Sequence, residues 1–228
     1  APTAGLDVTL SSIPAGTDQI VAIVDRGGLT APLKTTLATS GTLTRMGVAP
    51  GSGYRLRAVA LSAKQSGWYR NVLGGVTIEN LAVTAGQFTA AAGAMSTPSV
   101  ETNATPATVK AVESVALSVT VNDPGGFTEG SGTYPNYYVN QVPFANRDGE
   151  YVSTVRSSVS SGVYRFTGST SAPMLPGKLY YQVTAQSSEF RAPGTTDYAY
   201  FHVPNAPDVT TGATDLLQAT VEEATAGV

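Results

Sequence analysis

The residue types that carry catalysis are scarce in this chain, and none occurs in a recognisable catalytic arrangement. The single histidine, His202, lies in the segment Tyr198–Val203. A catalytic histidine acts on a nucleophile and is oriented by a carboxylate, and no Gly-x-Ser-x-Gly segment supplies that nucleophile. We interpret His202 as a residue on the solvent face of a strand. The absence of cysteine excludes disulfides, thiolate metal sites and a cysteine nucleophile. We therefore expect a protein that is not an enzyme and needs no cofactor.

Four acidic residues offer a weak calcium site. Three of them lie in two turn segments, Asp123-Pro124-Gly125 and Asp148-Gly149-Glu150. Calcium takes six to eight oxygen ligands, usually from several close carboxylates. Neither segment has an Asp-x-Asp spacing, and Asp and Gly are ordinary turn residues, so turns are the favoured interpretation. The calcium candidates are Asp123, Glu129, Asp148 and Glu150.

The densest aromatic segment is Tyr134-Pro135-Asn136-Tyr137-Tyr138. Flat rings beside amide side chains can stack on sugars or anchor a protein partner. In a strand only about half of such rings turn inward, so core packing, a protein contact and a sugar site all stay open. The candidates for partner contact are Tyr134, Tyr137, Tyr138 and Trp68, together with Leu216, Leu217 and Val221 near the C-terminus.

Composition narrows the class of partner. The net charge is −3, and charged residues make up 13% of the chain, about half of what is usual. Without a basic patch we expect no nucleic-acid partner, and without an apolar run of about 18 residues we expect no membrane insertion. A neutral polar surface is common on extracellular β proteins. The start Ala1-Pro2-Thr3-Ala4-Gly5 resembles what signal peptidase leaves, so we expect an exported protein whose signal peptide has been removed.

Short alternating segments separated by Gly, Pro, Asn and Ser predict strands. Apolar residues alternate over Leu6–Leu10 and again over Val115–Val121, and a last strand of the first half is predicted over Phe88–Met95. The phase of the apolar residues shifts between Ile78 and Leu81, which predicts a bulge near Asn80.

Two segments repeat one signature, a Pro-Gly turn that leads through tyrosine into an alternating strand. They are Pro50-Gly51-Ser52-Gly53-Tyr54-Arg55-Leu56-Arg57-Ala58 and Pro176-Gly177-Lys178-Leu179-Tyr180-Tyr181-Gln182-Val183-Thr184-Ala185. A turn that feeds a strand through tyrosine is typical of Ig-like and fibronectin-III-like β-sandwiches. The first half also resembles a module of bacterial lipoproteins and exported proteins, through Leu6–Gly16 and Val83–Gln87. The resemblance implies two tandem antiparallel β-sandwich domains and brings no catalytic residues.

This organisation predicts four segments. Residues 1–97 form an Ig-like sandwich and residues 98–108 a linker or the first strand of the next domain. Residues 109–206 form a second Ig-like or fibronectin-III-like sandwich, and residues 207–228 a short C-terminal tail and possible assembly segment. Within the tail, a helix that starts at Thr214 and a strand over Gln218–Val221 are both open.

We expect a non-enzymatic structural or interaction protein at the cell surface or outside the cell. It would be a subunit of a bacterial surface filament, pilus-like appendage or surface layer, joined to other protein chains, foremost copies of itself, through strand edges and terminal segments. The alternatives are an adhesin module that binds glycan or protein through exposed aromatics, accessory domains of a larger secreted enzyme, and a phage or virion decoration protein.

Overall fold

A computed structural model gives the fold of the chain. It describes residues 2–26, 29, 31–65, 69–110, 113–126, 136–142, 150–152, 155–160, 162–171, 177–187, 193–201 and 214–222. All regular structure in these residues is β-strand, which confirms the predicted all-β class. Among them no helix is long and apolar enough to cross a membrane. The strands are β1 (Gly5–Ser11), β2 (Thr17–Asp25), β3 (Leu33–Leu37), β4 (Thr44–Gly47), β5 (Gly51–Ser62), β6 (Tyr69–Val83), β7 (Phe88–Ala94), β8 (Ser99–Thr105), β9 (Thr108–Lys110), β10 (Ser114–Asn122), β11 (Asn136–Val142), β12 (Glu150–Val152), β13 (Val155–Ser160), β14 (Val163–Ser171), β15 (Gly177–Ser187), β16 (Tyr198–Phe201) and β17 (Thr214–Glu222).

The chain divides into two compact units, each discontinuous in sequence. Unit 1 comprises Ala1–Pro98, Asp123–Tyr134 and Ser187–Tyr200, and unit 2 comprises Ser99–Asn122, Pro135–Gln186 and Phe201–Val228. The linear boundaries predicted above, and the assignment of each part to an Ig-like sandwich, stay predictions.

Unit 1 contains a three-stranded sheet in the order β4–β1–β7 and a larger sheet in which β16, β6, β5, β2 and β3 are neighbours in that order. β1 pairs antiparallel with β4 and parallel with β7. One hydrophobic core lies between the two sheets. The residues alternating along β1, Leu6, Val8 and Leu10, are buried in this core, as predicted. Burying one such side chain stabilises a fold by about 1.5–3 kcal/mol.

Tyr54 shows why the Pro-Gly turn leads into a tyrosine. Its ring is buried in the core of unit 1, and its hydroxyl donates to the carbonyl of Ala49 at 2.8 Å. A buried tyrosine hydroxyl needs such a partner, and a bond to the backbone a few residues upstream fixes the chain before the strand begins. The next inward residues of β5, Leu56, Ala58 and Ala60, complete the buried face of this strand.

The bulge predicted in β6 is present. Asn80 has a φ of 58°, and the pairing of β6 with β5 shifts register between the Tyr54–Leu81 and Leu56–Ile78 pairs. Asparagine tolerates this left-handed conformation better than most residues.

The adjacent strands β2 and β5 of the larger sheet of unit 1 are buried on both faces. Ile20, Ala22 and Val24 of β2 face the core between the sheets. The residues between them, Val21 and Ile23, are equally buried on the opposite face. In an antiparallel sheet with one solvent-exposed face, buried and exposed residues would alternate along each strand. Because the residues of β2 are buried on both sides, both faces of this strand are covered.

Unit 2 contains a four-stranded sheet in the order β13–β14–β10–β8, and β10 carries the predicted alternation as the buried Val115, Leu117, Val119 and Val121. A second group pairs β12 with β11 and β11 with β15, all antiparallel.

The tail contains a strand and not a helix over Thr214–Glu222. β17 pairs antiparallel with β15 along one edge and parallel with β9 along the other. The ladder to β15 covers Thr214–Val221, whereas the ladder to β9 covers only Thr220–Glu222.

Candidate interaction surface

β7 has one open edge. Its ladder to β1 runs from Gly5–Phe88 to Ser11–Ala94, and no other described strand pairs with it. The N–H of Met95 donates to the carbonyl of Ser11 and the carbonyl of Gln87 accepts from the N–H of Gly5, so these two groups point toward β1. Successive residues of a strand direct their N–H and C=O groups to opposite edges. The residues that alternate with them therefore direct their polar groups away from β1, and these are Phe88, Ala90, Ala92 and Ala94.

The open stretch is bounded at both ends. Beyond β7 the backbones of Gly75 and Ser96 exchange two hydrogen bonds of 2.9 Å, which closes this edge. Before β7 the turn Thr84–Gln87 is closed by a bond from the N–H of Gln87 to the carbonyl of Thr84. An incoming strand therefore has the seven residues of β7 available.

β7 differs in chemistry from every other outermost strand of the described sheets. It contains no charged residue and no proline. Charged side chains on edge strands discourage pairing with another chain, because pairing would desolvate the charge. The other outermost strands each carry such a residue: Lys34 of β3, Arg45 of β4, Glu101 of β8, Lys110 of β9, Glu150 of β12 and Arg156 of β13.

The outer face of the β4–β1–β7 sheet is nearly neutral. Its side chains are Asp7, Thr9, Ser11, Arg45, Phe88, Ala90, Ala92 and Ala94, of which the three alanines are exposed. Asp7 and Arg45 neutralise each other through bonds of 2.8 and 2.9 Å. The hydrogen bond from Arg45 lowers the pKa of Asp7, and the same bond raises the pKa of Arg45. The Arg45 guanidinium also lies 4.2 Å from the centre of the Phe88 ring.

A second charged group lies on the buried outer face of the larger sheet. Arg57 is fully buried, donates to Asp25 at 3.0 Å and donates to the carbonyl of Gly126 at 3.0 Å. Arg55 donates to the other carboxylate oxygen of Asp25 at 3.0 Å. The Asp25 carboxylate is thus the countercharge of two guanidinium groups. We assign it a structural role, because a buried charge is tolerated only when it is paired and hydrogen-bonded.

A turn over residues 123–126 is attached to the same face. Its amide N–H of Gly125 donates to Oδ1 of Asp123 at 2.8 Å. The hydroxyl of Thr77 donates to the carbonyl of Pro124 at 2.9 Å. The buried Asp123 therefore acts within its turn, as the turn interpretation expects.

A third cluster surrounds Asp197, whose side chain is 7% exposed. Lys64 lies 2.6 Å from one of its oxygens and Arg70 lies 3.3 Å from the other. The hydrogen bond from Lys64 is the main cause of a lowered pKa of Asp197, with Arg70 acting in the same direction. Arg70 also contacts Asp18 at 2.6 Å. Every charge in this cluster has an opposite partner, which is typical of a structural network.

An open groove of about 340 Å³ lies beside the C-terminal end of β1. Its lining residues are all uncharged and include the hydroxyls of Ser11, Ser12, Thr17, Thr39 and Ser40. With no charged or aromatic side chain in its lining, the groove has no group that would select an ion or stack on a sugar ring.

The structure describes only some of the site residues expected from sequence. Tyr137 and Tyr138 lie on β11, and Leu216, Leu217 and Val221 lie on β17. Trp68, Tyr134, His202, Glu129 and Asp148 lie outside the described residues, while Glu150 begins β12. No group of three or more His, Asp or Glu residues within the described part of the chain could hold a metal ion. The calcium and sugar hypotheses stay predictions.

Sequence reasoning missed the surface on β7. The strand itself was predicted, and its lack of charge was legible in Phe88–Ala94. Its position at the open edge depends on the parallel pairing with β1, which joins segments about 80 residues apart and leaves no local pattern.

Comparisons with known proteins do not identify a family. No family model matches the sequence. No curated protein matches it significantly. One solved structure that matches is the full-length major pilin SpaD from Corynebacterium diphtheriae, 5% identical with a TM-score of 0.33, over 89% of this chain and 64% of that chain. Another is a leucine-rich repeat protein from Bacteroides thetaiotaomicron, 12% identical with a TM-score of 0.29, over 97% of this chain and 25% of that chain. The chain thus spans less than two thirds of either protein, and at these TM-scores neither likeness carries an argument about fold or function.

Proposed function

We propose that this chain is a non-enzymatic, exported structural protein that associates with other protein chains at a bacterial cell surface. It would be built from tandem Ig-like or fibronectin-III-like β-sandwich domains. Its role would be that of a subunit in a filament, pilus-like appendage or surface layer.

The observation that carries the proposal is the open, uncharged edge of β7. Four residues, Phe88, Ala90, Ala92 and Ala94, direct their backbone polar groups away from the sheet. A strand added there would form backbone hydrogen bonds, each contributing about 0.5–1.5 kcal/mol. Soluble proteins usually protect such an edge, and the charged outermost strands of this chain follow that rule.

The surface chemistry around the edge supports the same role. Apart from the Phe88 ring, the outer face beside β7 carries small side chains and one neutralised ion pair, so a second surface can approach without desolvating an unpaired charge. A chain with 13% charged residues fits a protein that meets other proteins through neutral surfaces.

The mass of the full chain in solution tests this proposal. We expect sedimentation velocity to show larger species whose fraction rises with protein concentration. Ala92→Pro removes an N–H group from the open edge and should shift the distribution toward monomer. Ala92→Ser keeps that N–H and should behave as the unchanged chain does.

Two results would contradict the proposal. One is a chain that stays monomeric at every accessible concentration. The other is assembly by Ala92→Pro at the same concentrations as by Ala92→Ser, since association would then not use the edge of β7.

A further inference from the structure

We infer that the partner of β7 is β7 of a second copy of this chain, paired antiparallel about a two-fold axis beside Ala91. The inference rests on the proposed function, because it names the partner for the same edge. It follows from the order of side-chain sizes along β7 and from the charges around it.

The axis position follows from the length of the open stretch. β7 runs from Phe88 to Ala94, and its middle residue is Ala91. An axis there pairs all seven residues of one copy with all seven of the other. Any other axis leaves open backbone groups at both ends of the pair.

Side-chain sizes are complementary in this register. Phe88 lies opposite Ala94 of the second copy, so the largest side chain of the strand meets one of the smallest. Thr89 lies opposite Gly93 of the second copy. A Cβ at Gly93 would approach the side chains of Val76 and Ile78 to 2.9–3.0 Å, so this position has no room for a larger residue. Each bulky residue in the first half of β7 therefore faces a small residue in the second half.

The remaining pair with outward side chains consists of Ala90 of one copy and Ala92 of the other. Both alanines are exposed and both direct their backbone polar groups to the open edge. They would form a hydrogen-bonded pair, and their methyl groups leave room for a close approach of the two backbones.

Charge favours a second copy over another edge of the same protein. Two β7 strands bring no charged residue to their shared edge, and the nearby Asp7 is neutralised by Arg45 within each copy. Every other outermost strand of the described sheets would bring a lysine, arginine or glutamate. Pairing β7 with one of those would bring a charged residue to the shared edge, which a pair of β7 strands avoids.

A two-fold pair is closed, since each copy uses the same surface. β7 pairing therefore yields a dimer. Growth into a filament or layer would require a second, different surface on the dimer.

Cysteine cross-linking tests the register, because the chain has no cysteine of its own. Ala90→Cys and Ala92→Cys are prepared separately in the full chain, one with an affinity tag, and mixed under mild oxidation. In the inferred register residue 90 faces residue 92 of the second copy with Cβ atoms about 4.5–5.5 Å apart. Two residues 90, or two residues 92, are diagonal neighbours about 7–8 Å apart.

We expect the mixture to give mixed disulfide dimers about tenfold faster than either variant alone gives its own dimer, since pairing raises the local thiol concentration to the millimolar range. Thr36→Cys, exposed on β3, reports the rate of random collision. Both alanines are exposed, so the substitutions should leave the circular dichroism spectrum unchanged.

The outcomes separate this inference from the proposed function. Mixed dimers no faster than the collision control, in a chain that still forms larger species, would overturn the two-fold register and leave the structural role standing. A chain that forms no larger species and no mixed dimers would overturn both.

Discussion

The guanidinium of Arg57 lies 2.9 Å from Oδ2 of Asp25, and the arginine side chain has no exposed surface. This pair lies on the face of the larger sheet that points away from the core of unit 1. Its burial depends on the turn over residues 123–126, since the carbonyl of Gly126 accepts the third contact of the guanidinium at 3.0 Å. A charge pair in β2 and β5 is thus completed by backbone from a distant part of the sequence.

Removing the charge of Asp25 should strongly destabilise unit 1. Asp25→Asn keeps the shape of the side chain but leaves the buried Arg57 without its countercharge, and breaking a buried pair in this way costs about 3–5 kcal/mol. Asp7→Asn is the matched control, because its partner Arg45 is 57% exposed and solvent-exposed ion pairs contribute little to stability. Urea denaturation measures both. Equal losses in the two variants would contradict the assigned role of Arg57.

Adding one methyl group at Gly75 should displace the turn over residues 123–126. A Cβ there would lie 2.5 Å from the backbone nitrogen of Gly125, and backbone cannot rotate away as a side chain can. We expect Gly75→Ala to cost about 1–3 kcal/mol and to speed amide exchange at Gly126, whose N–H donates to the carbonyl of Asp123. Thr77→Val, which loses the bond to Pro124, should speed the same exchange, and Thr77→Ser should not. Unchanged exchange in Gly75→Ala would show that the turn is held elsewhere.

Local patterns predicted much of the strand content. Alternation identified β1 and β10 with the correct buried residues, and the shifted phase of β6 located the bulge at Asn80. These features are visible because each depends on residues only two to four positions apart. The burial of Arg57 was not predictable in this way. An arginine that alternates with core residues is ordinarily interpreted as solvent-facing, and the turn that covers it is about 70 residues further along the chain.

Acid should weaken unit 1 through Asp197. Its pKa is held below the usual value of about 3.9, mainly by the hydrogen bond from Lys64. The folded state therefore binds this proton more weakly than the unfolded state. The stabilisation that the ionised Asp197 provides is fully present above the pKa that this carboxyl has in the unfolded chain. It is lost as the pH falls through the lower pKa that the carboxyl has in the folded chain. We expect the stability difference between the unchanged chain and Asp197→Asn to be largest near pH 6 and to shrink toward pH 3. A difference that does not vary between these pH values would contradict the assignment.

The tail could not be assigned from sequence because its apolar residues fit either a helix or a strand. In the structure the strand is favoured by its neighbours, since β15 and β9 provide ladders on both of its edges. A truncation of residues 208–228 would therefore remove a strand of unit 2 that pairs with both β15 and β9. Loss of stability in that variant would report on folding and would not test association.

Proline substitutions in β7 should distinguish its two edges. The N–H of Ala91 points toward β1, in the same direction as those of the neighbouring bonded positions, while the N–H of Ala92 points to the open edge. Proline has no backbone N–H. A strand therefore tolerates proline only at a position where the N–H of the replaced residue faces solvent. Ala91→Pro should therefore cost about 2–3 kcal/mol, because a carbonyl of β1 loses its donor.

Ala92→Pro should change the free energy of unfolding by less than about 1 kcal/mol, because its ring replaces a group that has no partner within the sheet. Denaturation at low protein concentration, where association does not contribute, measures both variants. If Ala92→Pro destabilised the chain as much as Ala91→Pro does, the N–H of Ala92 would have a partner within the chain. The edge of β7 would then not be open, and the surface proposed for association would be lost with it.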